Sequence, residues 1–245
     1  MSNLNALLKI EFILFRRNWV SFIIGIGLPV MIFLLMSSMM EGTYPEDIRP
    51  YVVKTMLVSM TIYSSISFGI YSLPMLFIED KNNRWVNFVG RTNIKIWQYY
   101  LAKVIRVVSY FLVSIVVVFS TGKFIKDVEF EVKEWITLAL LIVFGAVCMM
   151  SIGFVLTLIK SVEKVSAVSN IIFIFLSMIG GLWWPLNGFP EFLQKIGKLT
   201  PTYHINHLAQ QYIFKDVFES KSFFILIAYA VVLIGLTLIL KKKIK

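Results

Sequence analysis

Long charge-free blocks alternate along this chain with short polar segments, and six of the blocks are long enough to cross a membrane. They run from Trp19 to Met40, Thr55 to Phe77, Tyr99 to Ser120, Trp135 to Ile159, Val165 to Trp184 and Ser222 to Leu240. About 20 residues of helix cover the ~30 Å of hydrocarbon in a bilayer, so each block predicts one transmembrane helix. The first block is too long for a signal peptide, and no small-residue cleavage site follows Met40. Trp19, Trp97, Tyr99, Trp135, Trp183 and Trp184 stand at block ends, where amphipathic rings favour the headgroup level.

Two further segments carry helical periodicity without the length to span. In residues 1–18, Leu4, Leu7, Leu8, Leu14 and Phe15 share one arc of a helix, and Ser2, Asn5, Lys9 and Arg16 the opposite one. That pattern predicts a helix lying in the membrane interface. Glu11 falls near the middle of the apolar arc and is expected to snorkel to water, contact with a partner being the other reading. Between the fifth and sixth blocks, Pro185 and Pro190 forbid a straight continuation. Phe192, Leu193, Ile196 and Leu199 then recur at helical spacing before Pro201, and a second amphipathic piece runs from Tyr203 to Phe214. Two short helices, near Pro190–Leu199 and Tyr203–Phe214, are expected to dip into the outer leaflet. The predicted fold is an all-α polytopic membrane protein of one domain. It has six transmembrane helices, an N-terminal interfacial helix (1–18), a second loop at 78–98 and an outer hairpin of re-entrant half-helices at 185–221.

Composition agrees with a chain whose solvent is lipid. Of its 245 residues 58% are hydrophobic and 16% charged, against about 45–50% and about 25% in soluble domains. No segment outside the blocks is long enough for a water-soluble core, which excludes a separate catalytic domain. The net charge of +10 comes from Lys and Arg flanking the blocks, a distribution explained by headgroups and the positive-inside rule rather than by nucleic acid. Most of these cations fall at the N-terminus, in the second and fourth loops and in the tail, which predicts that both termini face the cytoplasm.

Candidate chemistry is sparse. The cores of the spans lack ionisable residues, Lys103 and Arg106 being assigned to the base of the third, and this disfavours a proton-coupled carrier or an intramembrane hydrolase. An immunity protein that sequesters a toxin would need polar residues converging at one depth, and the sequence displays none. No Gly-rich phosphate loop is present, so ATP, if used, binds another chain. The single cysteine, Cys148, reads as a small buried hydrophobe. His204 and His207 share a helix face but lack further ligands, and are expected to be solvated or headgroup-facing rather than metal-bound. Gly25, Gly27 and Pro29 predict close packing or a kink in the first span.

Two loops stand out. The second mixes charge with apolar residues: Glu79, Asp80, Lys81, Arg84, Trp85, Phe88 and Arg91. Such periodicity suggests a short helix that packs on headgroups or docks on a cytoplasmic partner, the latter being preferred. The fifth loop reads Gly180-Gly181-Leu182-Trp183-Trp184-Pro185, with Pro190, Leu193-Gln194, Pro201 and Tyr203 following. This stretch and the six-span topology resemble the ABC-2-type transporter permeases. The Glu79–Lys103 segment is similar to that family's first coupling loop, without the usual Gly-Thr near Asn83-Arg84 or the proline near Arg91-Thr92.

The resemblance implies a non-catalytic permease subunit of an ATP-driven exporter. A second permease copy and a cytoplasmic ATPase subunit, which holds ATP and Mg, would be its partners. The chain itself would need no cofactor. Glu79, Asp80, Lys81, Arg84, Trp85 and Phe88 would couple to the ATPase. Trp183, Trp184, Pro185, Pro190, Pro201 and Tyr203 would form the outer gate. The short outer loops point to a hydrophobic or amphipathic small molecule or peptide as cargo. The competing class is an ATP-independent carrier or channel.

Overall fold

A computed structural model describes residues 3–40 and 43–243. Ser2 on the polar arc, Glu41 in the first loop and Lys245 in the tail lie outside the described residues. Helix α1 (Asn3–Arg17) precedes a first span built from α2 (Trp19–Phe22), a π turn (Ile23–Gly27) and α3 (Leu28–Met40). The second span joins α4 (Arg49–Ser67), another π turn (Phe68–Ser72) and α5 (Leu73–Asn82) into one helix of 34 residues. It outruns the charge-free block because polar Arg49 and Lys54 at one end and Glu79 to Asn82 at the other continue the helix past the apolar stretch. After the short α6 (Trp85–Gly90) come α7 (Ile96–Ile125), α8 (Val132–Leu156) and α9 (Val162–Ile179), the third to fifth spans. A 3₁₀ turn (Leu186–Gly188), α10 (Glu191–Gly197) and α11 (Pro201–Lys215) lead into the sixth span, α12 (Ser220–Lys243). The described residues contain no strand and six helices able to cross a membrane, so this is a multi-pass all-α membrane protein.

The two π turns have a common cause. Each is followed by a proline two residues beyond its end, Pro29 and Pro74. A proline inside a helix lacks the N–H for the i−4 carbonyl and its ring crowds that carbonyl. Widening the preceding turn relieves the clash. The carbonyl opposite Pro29 belongs to Gly25, and it accepts a hydrogen bond from Ser64 Oγ of α4 at 2.7 Å. The kink expected from Gly25 and Pro29 is therefore a π turn anchored on the second span.

The second span is the centre of the bundle and packs on α3, α7, α8 and α11. It is 78% buried over its most apolar stretch, against 22% for the first span, 28% for the fifth and 11% for the sixth. Lipid gives little hydrophobic drive for helices to associate, so close contact through small residues holds such bundles together. Gly153 of α8 illustrates it: a Cβ there would lie 2.2 Å from the Gly69 carbonyl of the second π turn.

The fifth span stops where Gly181 takes φ +78° and Leu182 N–H returns to the Ser177 carbonyl at 3.1 Å. The chain then turns back instead of continuing. Thr200 caps α11 by accepting from Tyr203 N–H, with Pro201 in the first turn. The two short helices thus form within two residues of the predicted limits. They differ in environment. α10 exposes Phe192 and Ile196, whereas α11 is sunk among α4, α8, α9 and α12. Asn3 donates to the Asn93 carbonyl at 3.0 Å and Lys241 meets the Tyr100 hydroxyl, so α1, the second loop and the tail share one end, opposite the α10–α11 hairpin.

Candidate functional site

Four charged side chains meet at the α1 end. Lys103 of α7, 1% exposed, lies 2.8 Å from Glu11 Oε1 and 2.8 Å from Asp80 Oδ2. Arg106, one turn on, places Nη1 3.0 Å from Glu11 Oε2 and donates through Nε to the Tyr110 hydroxyl at 2.8 Å. Tyr99 donates to Asp80 Oδ2 at 2.8 Å. Two cations face two carboxylates, so the cluster is neutral and closely bonded, the condition under which buried charge is tolerated. Glu11 is 3% exposed. The expectation that it snorkels to water is therefore wrong: two cations from the third span offset its desolvation, which water would otherwise have done. Their separation of 92 and 95 residues from Glu11 hides the pairing from local periodicity. A usable signal existed, an acid on one apolar helix face and bases at i and i+3 on another.

Tyr110 carries the cluster onward into the bundle. Its ring contacts Phe15 of α1 (5.1 Å), Phe22 of α2 (5.0 Å) and Phe68 of the second π turn (5.2 Å between centroids). Next to Phe68 lies the first π turn, where a Cβ on Gly25 would come within 2.6 Å of that ring. Both π turns border a cavity of about 420 Å³ between the first, second and fifth spans. Tyr63, Ser67, Tyr71, Ser72 and Asn170 supply polar groups to its wall, and Phe68 and Phe173 apolar ones. Of the cavity residues only Gly25 was singled out from the sequence, for close packing or a kink; the others are ordinary members of apolar helices until the spans are packed.

Of the proposed coupling residues, Glu79, Lys81, Arg84 and Phe88 are exposed, and Trp85 is half-buried and stacked on Phe88 at 5.2 Å. Arg84 adopts φ 58°, which turns the chain sharply between α5 and α6. Asp80 points the other way, into the ion cluster. The loop thus has an exposed face and one anchored residue.

At the hairpin end, the predicted gate residues separate. Trp183 packs toward Tyr63 (5.8 Å), Pro201 is buried and Tyr203 half-buried, while Trp184, Pro185 and Pro190 are exposed. Asn206, not foreseen, ties the hairpin to the core: it accepts from Ser59 Oγ at 3.0 Å and donates to the Gly181 carbonyl at 2.9 Å. Gln210 also donates to it, and Ser114 donates to Ser64 at 2.8 Å within the bundle. Polar side chains do converge inside the spans, contrary to expectation, because Ser and Thr spread along α4 collect on its buried faces.

His204 is buried, not solvated, and its Nδ1 lies 3.1 Å from Ser222 Oγ. Burial, and then the neighbouring His207, push its pKa below the ordinary histidine value, outweighing Glu219 and the Lys198 backbone. Glu219 is pushed up by its partial burial, but hydrogen bonds from Ser222 and the two histidines prevail and hold it below the usual carboxylate range.

A family model described as ABC-2 family transporter protein matches residues 50–239, from the start of the second span to the end of the sixth. A putative transport permease of Bacillus subtilis (strain 168), YvfS, is 29% identical over 187 residues, covering 76% of each chain.

Proposed function

This chain belongs to the ABC-2 family of transporter proteins, a membrane permease subunit whose ATPase is a separate partner chain, and from that premise we propose an exporter of a hydrophobic or amphipathic small molecule or peptide. The permease sits in the plasma membrane with both termini cytoplasmic, and two copies act with two ATPase subunits that hold ATP and Mg. The uncovered faces of the first and fifth spans border the cavity and are where the second copy closes the path. α1 lies in the cytoplasmic interface, its exposed Ile10, Phe12 and Ile13 among lipid and Arg16 and Arg17 at the headgroups.

One observation carries the coupling mechanism: a continuous series of contacts runs from the exposed α5–α6 turn to the cavity. Glu79, Lys81, Arg84, Trp85 and Phe88 meet the ATPase. Motion of that turn pulls Asp80, which is bonded to Lys103 and Tyr99 at 2.8 Å. Lys103 and Arg106 share Glu11, and Tyr110 passes the displacement to Phe68 and the π turns. Those turns border the cavity, so their rearrangement changes its width. The hairpin, with Trp183, Trp184, Pro185, Pro190, Pro201 and Tyr203, seals the outer exit.

The test uses the permease reconstituted with an ABC ATPase that co-purifies with it. An Arg84→Glu, Trp85→Ala double variant is expected to insert normally but to lose ATPase assembly or transport-coupled hydrolysis. Wild-type stimulation would remove this turn from the mechanism. Topology is checked separately, in a Cys148→Ser background. Externally added reagent should label a cysteine at Glu46 and spare one at Asn93, and the reverse would invert the assignment.

A further inference from the structure

Both histidines of the chain converge on one hydroxyl. Ser222, in the first turn of α12, lies 3.1 Å from His204 Nδ1 and 3.4 Å from His207 Nδ1. It is 2% exposed. Its backbone N–H donates to Glu219 Oε2, which in turn lies 3.9 Å from His207 Nδ1. A serine hydroxyl has one proton, so it can donate to only one of two imidazoles. The other ring must present its own Nδ1–H to the oxygen. This arrangement closes with both rings neutral, or with a proton on the half-buried His207 balanced by Glu219, 3.9 Å away, so His204 is the ring whose charge breaks it. A second proton would aim two cationic N–H groups at one oxygen, with a single carboxylate nearby.

We propose that this three-way contact is a proton-operated latch that fastens α11 to the start of α12 and is released when His204 becomes charged. Geometry determines the direction. His204 is buried beneath Tyr203, which also stacks on His207 at 5.2 Å, so a charge on His204 has little access to water. The groups acting on it are His207, Glu219, Lys221 and the Lys198 backbone. The charged residues of the other helices packed on α11, Arg49 and Lys54 of α4, Lys133 and Glu134 of α8, and Glu163 and Lys164 of α9, make no electrostatic contact with it among the described residues. Lys221 is a cation beside the site, so Glu219 alone compensates protonation. Burial, His207 and Lys221 already disfavour the charged ring, consistent with a latch closed at neutral pH and strained by acid. Release frees α11, the helix whose Asn206 anchors the hairpin to Ser59 in the second span. The proposal does not depend on transport direction or on the docking of the ATPase.

Hydrogen–deuterium exchange of the full chain in lipid nanodiscs tests it, followed at about pH 7.5 and about pH 5.5 and corrected for intrinsic exchange. In the wild type, amides of 201–222 should exchange roughly threefold or more faster in acid, with α7 unchanged. His204→Gln keeps a neutral polar side chain and should abolish the acid response. Glu219→Gln removes the compensating carboxylate and should move the acceleration to lower pH, which keeps the test valid if the first variant does not fold. Equal exchange at both pH values in the wild type would overturn the latch, as would an undiminished acid response in His204→Gln.

Discussion

The two ends of this molecule bury polar groups in opposite ways. At the α1 end, Lys103 and Arg106 are matched by Glu11 and Asp80 at 2.8–3.0 Å, so full charges are present and cancel. At the hairpin end, His204 Nδ1 and His207 Nδ1 share the Ser222 hydroxyl at 3.1 and 3.4 Å, with Glu219 at the rim. The first arrangement costs desolvation of four ions and is stable only while every partner is present. The second costs less but depends on a protonation state. An ion cluster of this kind suits a rigid connection, because distorting it separates opposite charges in a poorly solvated place. A histidine pair on one hydroxyl suits a joint that conditions can loosen. The difference teaches that one bundle can bury polar groups either as matched ions or as shared hydrogen bonds, which the mechanisms proposed above use for transmission at one end and responsiveness at the other.

Removing one partner should break the first end most severely. Glu11→Ala leaves two buried cations with only Asp80, and loss of a partner from a buried ion cluster costs about 3–5 kcal/mol. Thermal unfolding of the purified permease should show it, with α1 released to protease. A shift under about 1 kcal/mol would make the cluster as soft as an exposed pair. Next in size is Asn206→Leu, which strips partners from the buried Ser59 hydroxyl and the Gly181 carbonyl. Buried groups left unsatisfied cost about 1–3 kcal/mol each, so the hairpin should loosen while the α1 end keeps its protection.

Acid gives a smaller and graded effect confined to the hairpin. His204 has a folded pKa below its ordinary value, so the unfolded chain binds the proton more readily in the window between the two. Stability is therefore complete above the ordinary histidine range and is lost as pH falls through that window, by at most about 1.4 kcal/mol per pH unit for one proton. Glu219 is also held low, but its contribution disappears only in the more acidic carboxylate range, so the two are separable in a pH titration of the melting temperature. His204→Gln should flatten the upper phase and leave the lower one. The smallest effect belongs to Lys133 and Asp216, 3.9 Å apart and largely exposed. Lys133→Ala should leave stability and export unchanged, as expected of a solvated pair; a measurable loss would mean that surface charge, not only buried charge, fastens the hairpin.

Length and hydropathy by themselves determined the six spans, the amphipathic character of α1 and both short helices of the hairpin. These properties are local: a run of apolar residues, a proline or a glycine pair acts on the few residues around it. Gly181 shows this, ending the fifth span through its own backbone geometry. What the tertiary structure alone decided is which polar groups find each other. Glu11 has the same sequence neighbours whether it faces water or Lys103, and only the docking of α1 on α7, 92 residues away, chooses. Asp80 sits in a charged loop with Glu79 and Lys81, yet it alone turns inward, because the helical register of α5 directs it at Tyr99 and Lys103. His204 and the cavity wall follow the same rule. Periodicity tells which face of a helix is apolar; packing between distant helices tells what that face meets, and there the cost of an unpaired buried charge selects the arrangement.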